Sequence, residues 1–257
     1  MIRSNIPNDV RGRRRPDQLG QRGILIAAGI SAVVLSTAGL YWISKARCFA
    51  LVGEAICHVD TNARMVALTL DDAPTKVGDE TALRALDRFH SHATFFAVGA
   101  GIPGNKELIR QIIAAGNEVG NHSYSHERMI FHSSAFYSSE IDRTDALLRS
   151  AGVSKPDLFR PPYGKKFIGL SRALQARGYK MIMWDVEDPL TARTPQQYAH
   201  KIVAQARPGS IILMHVMSSS NGVARAALPL VLGGLVGRGF RIVTVSDLLK
   251  NARETRK

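Results

Sequence analysis

The chain has 257 residues, of which 45% are hydrophobic, and a formal net charge of +13 at pH 7. This length accommodates one large α/β domain with an appendage, and the composition is that of a folded protein rather than a disordered one. The positive charge favours attraction to an anionic envelope, but no basic helix with interleaved aromatic residues occurs, so the sequence does not indicate a nucleic-acid-binding role.

The first predicted element is an uncharged segment, residues 24–43, which six arginines precede. About 20 apolar or small residues suffice to cross the hydrocarbon core of a membrane as a helix. The pair Tyr41 and Trp42 at its far end is typical of a membrane interface. The arginines predict that the basic tail, residues 1–23, is cytoplasmic and that the rest of the chain lies outside. We interpret the segment as a retained single-pass signal anchor; cleavage near Ala46, which would release a secreted protein, is the alternative.

A linker, residues 44–61, is predicted to follow the anchor. It contains both cysteines of the chain, Cys48 and Cys57. An oxidising compartment would permit a disulfide between them, and two free thiols fit the sequence equally well. The folded domain is expected over residues 62–252, with a short tail at 253–257.

Strand-like and helix-like segments alternate along the folded domain. Short apolar runs predict strands at 65–71, 93–99, 157–160, 180–186, 210–215 and 241–245. Apolar residues at helical spacing predict helices at 80–91, 106–116, 134–151, 167–177, 195–206 and 223–237. This alternation predicts a mostly parallel sheet with helices outside it.

Polar side chains cluster where the predicted strands end. They are Asp71 with Asp72, Arg160, Trp184 with Asp185, and His215. Ligands bind at the carboxyl ends of the strands both in closed β/α barrels and in open doubly wound sheets. No glycine-rich phosphate loop follows the first strand, which argues against nucleotide binding.

Two histidines, His122 and His126, have the i, i+4 spacing. On one helical turn both imidazoles would project from the same side and could reach a single divalent ion. One carboxylate from elsewhere would complete a three-ligand site with an open position for water, and a second would act as base. The adjacent acids Asp71 and Asp72 offer that pair. The pattern therefore predicts metal-assisted hydrolysis.

Five motifs follow one another in the domain. They are Thr69-Leu70-Asp71-Asp72, His122-Ser123-Tyr124-Ser125-His126, Arg160-Pro161-Pro162-Tyr163-Gly164, Trp184-Asp185 and Leu213-Met214-His215. In this order and spacing they resemble the polysaccharide deacetylase family, the NodB-homology or carbohydrate esterase 4 group. The resemblance implies an α/β fold, a distorted TIM-like β/α barrel of about seven strands, here preceded by a single transmembrane helix.

The resemblance also implies the metal centre and the base. Asp72, His122 and His126 would bind one divalent ion, zinc in the first place, with cobalt, nickel or iron as alternatives. Asp71 would be the general base that deprotonates the metal-bound water. Arg160 would pair with Asp71 and hold it ionised, since a nearby cation favours the charged carboxylate.

The other motif residues would serve the oxyanion, the leaving group and the acetyl group. The backbone N–H of Tyr163 would join the metal in stabilising the oxyanion. His215 would be the general acid that protonates the departing amine. Trp184 and Leu213 would line the pocket for the acetyl methyl group.

One segment departs from the family pattern. The family often carries Asp-x-x-Asp-Trp after the tryptophan, and its second Asp tunes the acid histidine. Here Leu190 and Thr191 stand where we expect that Asp and Trp. Either Asp185 or Asp188 would then take the tuning role, or His215 would be less strongly coupled to a carboxylate.

These observations predict a membrane-anchored, metal-dependent hydrolase that removes N-acetyl groups from amino sugars of an extracytoplasmic glycan, either peptidoglycan or a chitin-like polymer. Its partners would be the glycan and, through residues 24–43, the membrane; no nucleic acid is expected, and the oligomeric state is left open. The alternatives are hydrolysis of a small cyclic amide or imide or of an O-acetyl ester, and a catalytically silent glycan-binding protein of the envelope.

Overall fold

The computed structural model describes residues 17–189 and 191–255, so most of the predicted basic tail, the end of the predicted C-terminal tail and Leu190 lie outside the described residues. The chain divides into two units, Met1–Trp42 and Ile43–Lys257. Helix α1 (Asp17–Lys45) begins in the first unit. Its part Gly23–Lys45 is long and apolar enough to cross a membrane, a test that a signal sequence also passes.

The second unit contains the sheet and the remaining helices. Its described strands are β1 (Ala55–Ile56), β2 (Met65–Ala73), β3 (Thr94–Ala97), β4 (Glu118–Asn121), β5 (Leu158–Phe159), β6 (Lys180–Ile182), β7 (Ile211–Met214) and β8 (Arg241–Val243). Its described helices are α2 (Lys76–Arg88), α3 (Lys106–Ala114), α4 (Ser134–Ser150), α5 (Ile168–Gln175), α6 (Pro195–Gln205), α7 (Gly222–Gly237) and α8 (Val245–Thr255).

The strands form one parallel sheet in the order β1-β6-β5-β4-β3-β2-β7, with β8 paired to β2. The sheet closes on itself because Val186, just beyond β6, pairs with Ile212 of β7. At the amino end of β7 the N–H of Val59 donates to the carbonyl of Gly209 at 2.9 Å. The result is the distorted β/α barrel that the family resemblance implies.

Alternation along β2 separates the two sides of the sheet. Val66, Leu68 and Leu70 are buried in the cluster that packs against the helices. Met65 and Ala67 belong to a second cluster, which contains residues from several strands of the barrel. Successive strand residues point to opposite faces, so the same alternation places Asp71 on the side of Met65 and Ala67, inside the barrel.

Local signals set the starts of two helices that flank the site. Ser133 caps α4 by accepting a hydrogen bond from the N–H of Phe136 at 3.2 Å. Thr194 caps α6 in the same way, accepting from Gln197 at 3.2 Å, and a proline occupies the first turn. Each such cap stabilises its helix by about 1 kcal/mol, and together they fix where the chain turns away from the barrel.

Three elements differ from the prediction. β4 was not predicted, because a four-residue run that contains glycine and asparagine has low strand propensity; its pairing with β3 and β5 overrides that propensity. α8 was not predicted either. The segment predicted as a linker, residues 44–61, contributes β1 to the sheet, beside β6. It also contains a disulfide between Cys48 and Cys57, whose Cα atoms are 5.1 Å apart.

Candidate active site

The carboxyl end of β2 supplies two adjacent acids to one site. Asp71 faces the barrel interior and is 2% exposed. The register between β2 and β3 shifts after Asp71, and Asp72 has a φ of 69°, in the left-handed region. This irregularity breaks the alternation of the strand. As a result, both carboxylates approach the ring of His122, with oxygens 3.7 and 3.8 Å from its Nε2.

The two predicted histidine ligands lie in a loop after β4, so the prediction that they share a helical turn is wrong. Ser123 and His126 have φ values of 64° and 60°. The hydroxyl of Ser123 accepts a hydrogen bond from the N–H of His126 at 3.1 Å. This turn brings the rings of His122 and His126 to a centroid separation of 4.9 Å. The i, i+4 spacing thus converges on one point without a helix.

Two polar side chains that the sequence analysis missed hold this loop. Glu140, buried on α4, accepts hydrogen bonds from the N–H groups of Tyr124 and Ser125 at 2.9 and 2.8 Å. Its same oxygen accepts from the Ser125 hydroxyl at 3.0 Å. Asn121 accepts from the N–H of Ser123 at 2.9 Å. A charged residue on the apolar face of the predicted helix 134–151 was the available signal for Glu140.

Asp72, His122 and His126 form the one group of potential metal ligands found among the described residues, with ligand atoms within 4.8 Å of one another. Asp72 Oδ1 lies 3.3 Å from His126 Nε2 and 3.8 Å from His122 Nε2. A tetrahedral zinc ion with bonds of about 2.0–2.1 Å separates its ligand atoms by about 3.3 Å. The three donors therefore fit such an ion after small side-chain adjustments.

The protonation of His122 suits a metal ligand. Its Nδ1 lies 2.7 Å from the carbonyl oxygen of Arg160. A carbonyl only accepts, so Nδ1 carries the proton and Nε2, on the side of Asp72, keeps its lone pair. Burial lowers the pKa of His122 in spite of the nearby carboxylates, which favours the neutral ring that metals bind.

Arg160 is completely buried and fixes the position of Asp71. Its Nη1 donates to Asp71 Oδ1 and to the hydroxyl of Thr69, both at 2.7 Å. Its Nε and Nη2 donate to the carbonyls of Ile182 and Met183 at 3.2 and 3.0 Å. Every nitrogen of the guanidinium is therefore engaged, as a buried charge requires.

The surroundings keep Asp71 ionised. Burial acts to raise its pKa, but the positive charge of Arg160, with that of His215 and the hydrogen bond from Arg160, outweighs burial and lowers the pKa. Asp71 Oδ2 lies 4.0 Å from His215 Nε2 on the opposite wall of the site. A carboxylate held in this way can accept a proton from a water molecule bound between these groups.

His215, immediately after β7, is held by Asp188. Its Nδ1 forms a hydrogen bond with Asp188 Oδ2, and its backbone N–H donates to Asp188 Oδ1 at 3.2 Å. Burial acts to lower the pKa of His215, but the hydrogen bond to Asp188 and the nearby carboxylates outweigh burial and raise the pKa to about 9. His215 therefore carries a proton at neutral pH, with Nε2–H directed at the site.

The two carboxylates predicted as partners of His215 lie in different places. Asp188 contacts His215, whereas Asp185, which follows β6, contacts the first residue of β7. Asp185 Oδ2 is 2.9 Å from His58 Nδ1, and Asp185 Oδ1 accepts from the N–H of Ile211 at 3.0 Å. Asp185 therefore stabilises the closure of the barrel rather than the site.

The departure from the family pattern at Leu190 and Thr191 stays a prediction, since Leu190 lies outside the described residues. Of the two carboxylates expected to take the tuning role, Asp188 is the one that contacts His215.

The remaining predicted residues lie beside these groups. The ring of Tyr163, 58% exposed and with a φ of 57°, is 4.8 Å from the ring of His126. Trp184 and Leu213 are buried in the same interior cluster. A Cβ at Gly164, whose φ is 63°, would come within 2.9 Å of the Trp184 ring. The glycine of the Arg-Pro-Pro-Tyr-Gly motif therefore lets the chain pass close to that ring.

The chain is similar to known proteins. The family model described as polysaccharide deacetylase matches residues 58–182. The chain is 30% identical over 202 residues to a peptidoglycan-N-acetylglucosamine deacetylase of Bacillus cereus, which covers 77% of this chain and 94% of that protein. It is also 30% identical to a peptidoglycan-N-acetylmuramic acid deacetylase of Bacillus subtilis, over 77% of this chain and 42% of that protein.

A solved structure is similar as well. It is that of a CE4 family pseudoenzyme from Bacillus anthracis, with a TM-score of 0.69 and 28% sequence identity, and the match covers 76% of this chain and 68% of that one.

Proposed function

This chain belongs to the polysaccharide deacetylase family, and we propose that it removes N-acetyl groups from the amino sugars of peptidoglycan. Glycan deacetylation is the activity of the family, and both relatives described above are named for peptidoglycan. The observation that carries the proposal is the placement of an ionised base and a protonated acid, Asp71 and His215, 4.0 Å apart beside three metal donors.

The donor set proposed for the metal is Asp72, His122 and His126. Two imidazoles and one carboxylate suit zinc, and cobalt, nickel or iron would compete according to availability. When bound, such an ion supplies the Lewis acidity that brings the pKa of a water molecule to about 7.

The residues of the chain then move two protons. Asp71, held ionised by Arg160, accepts a proton from the attacking water while the water oxygen forms a bond to the acetyl carbonyl carbon. The backbone N–H of Tyr163 donates to the oxygen that becomes negative. As the carbon–nitrogen bond breaks, His215 donates its Nε2 proton to the departing amine. Acetate and a free amino sugar are the products.

Two further roles follow from position. Asp188 tunes His215, since its hydrogen bond to Nδ1 leaves Nε2–H as the proton that faces the substrate. Trp184 and Leu213 form the apolar wall for the acetyl methyl group. We also propose that residues 24–43 anchor the protein in the membrane with the second unit outside the cytoplasm, where it would meet the cell wall.

The test is acetate release by the full chain in detergent from N-acetylated peptidoglycan, chitin oligomers and O-acetylated xylan. We expect release from peptidoglycan that stops with a chelator and returns with zinc or cobalt. Asp71→Asn is expected to lower kcat at least about 100-fold, while Asp87→Asn, the same change at an exposed position on α2, leaves it unchanged.

The other outcomes select the alternatives. Release from xylan alone would assign ester hydrolysis, and turnover of small cyclic amides alone would reject a glycan substrate. A folded, metal-loaded protein that releases no acetate would support a silent glycan-binding protein.

A further inference from the structure

The segment that leads from α1 into the barrel is fixed against the active-site side of the second unit. We call residues 44–57 the strap. Ser44 is 1% exposed, and its carbonyl accepts a hydrogen bond from the N–H of Lys166 at 3.0 Å. The buried ammonium group of Lys166 donates to the carbonyl of Ala46. Both backbone contacts lie just before Arg47, and Lys166 itself lies two residues beyond Gly164, where an added Cβ would meet the Trp184 ring.

A covalent bond fixes the strap just after Arg47. Cys48 is bonded to Cys57, which directly follows β1. β1 pairs with β6, and the carbonyl of Ile56 accepts from the N–H of Met183 at 2.7 Å. The disulfide therefore ties the part of the strap near Arg47 to β1, and β1 in turn pairs with the stretch of chain that leads to Trp184.

The fixed strap places Arg47 in contact with residues of the proposed acyl pocket. Its guanidinium forms an ion pair with one carboxylate oxygen of Glu187. The other oxygen of Glu187 accepts from the indole N–H of Trp184 at 2.8 Å. The guanidinium carbon of Arg47 also lies 5.7 Å from the centroid of the Trp184 ring, within the range of a cation–π contact. Arg47 thus acts on both the polar edge and the face of one indole.

We propose that Arg47 is a positioning residue for Trp184 and that the strap thereby sets which acyl groups the site accepts. The inference rests on the proposed function, because it takes Trp184 as the wall of the acyl pocket. With Glu187 and the indole fixed, the pocket fits a methyl group. Without Arg47, Glu187 loses its ion pair and the indole can turn, so the pocket admits a longer acyl chain.

The first test is the ratio of kcat/KM for N-acetyl over N-propionyl glucosamine oligomers, measured with the full chain. One methylene in a fitted apolar pocket changes kcat/KM by about 10–200-fold. We expect Arg47→Met to lower the ratio at least about 5-fold and Arg47→Lys, which keeps the charge, to restore part of it. Arg84→Met, at an exposed arginine on α2, is the matched control. An unchanged ratio in Arg47→Met would overturn the proposal.

A spectroscopic test does not depend on turnover. The chain has two tryptophans, Trp42 and Trp184, so in Trp42→Phe the tryptophan fluorescence comes from Trp184 alone. In that background we expect Arg47→Met, and separately Cys48→Ser with Cys57→Ser, to increase quenching by acrylamide. If the wild type releases no acyl group from any substrate, the proposed function fails while this readout still decides the role of Arg47. Equal quenching in all variants would refute it.

Discussion

Glu140 provides a direct test of how the proposed metal centre is held. One of its carboxylate oxygens accepts three hydrogen bonds from the loop that carries His122 and His126. Hydrogen bonds to charged groups contribute about 1.5–3 kcal/mol each, against about 0.5–1.5 kcal/mol for neutral pairs. Glu140→Gln keeps the shape but removes the charge, so each of the three bonds weakens by about 1–1.5 kcal/mol and the loop is stabilised by about 3–4.5 kcal/mol less.

We expect this loss to appear as weaker metal binding. Removing a group that orients metal ligands lowers affinity by about 10–100-fold. Zinc affinity would be measured by competition with a chromogenic chelator, using the full chain in detergent. The control is Glu127→Gln, the same substitution at an exposed position directly after His126. Wild-type zinc affinity in Glu140→Gln would show that the loop does not depend on this carboxylate and would refute the reasoning.

Three further predictions concern pH and the backbone. His215 must be protonated to act and its pKa is raised to about 9, so kcat/KM for acetate release should stay level up to about pH 9 and fall above it. Asp188→Asn should move that fall to lower pH. Identical pH profiles of the wild type and Asp188→Asn would exclude His215 as the acid. Gly164→Ala and Gly178→Ala both place a side chain at positive φ, but only the first meets a neighbouring ring. Each should therefore lose about 1–2 kcal/mol of stability in urea unfolding, while only Gly164→Ala raises KM; equal KM values would contradict the steric argument. Burial, partly offset by a backbone N–H, raises the pKa of Asp79 from 3.8 to about 7, so its folded form binds the proton more tightly than the unfolded form. Asp79 should make stability decline as pH rises from about 4 through about 7, and Asp79→Asn should reduce that decline; identical pH dependences would contradict the assignment.

The sequence predicted the sheet, its helices and the groups at the strand ends because these depend on short-range patterns. Asp71 and Asp72 were expected at the end of a strand because the apolar run 65–71 stops there. The spacing of His122 and His126 was sufficient to name a common ligand site. The prediction of a helix there was wrong. The two rings come together because Ser123 and His126 have left-handed backbone conformations and the Ser123 hydroxyl accepts from the N–H of His126, which the spacing alone does not reveal.

What the sequence could not predict depends on pairing between distant segments. β4 forms because it pairs with β3 and β5, and β1, within the segment predicted as a linker, forms because it pairs with β6. Asp188 and not Asp185 contacts His215 because of the path of the chain beyond β6. There the pairing of Val186 with Ile212 directs Asp188 toward His215.

The closure of the barrel has a consequence for how the protein is made. Val59 pairs with Gly209, and β2 pairs with β7 and β8, so segments made early join those made late. A nascent chain that has emerged through β6 already contains the three proposed metal donors and Asp71. It has neither His215 nor a closed ring until β7 follows. With Asp71 as base and His215 as acid, as proposed above, catalysis would begin only when synthesis of the domain is nearly finished.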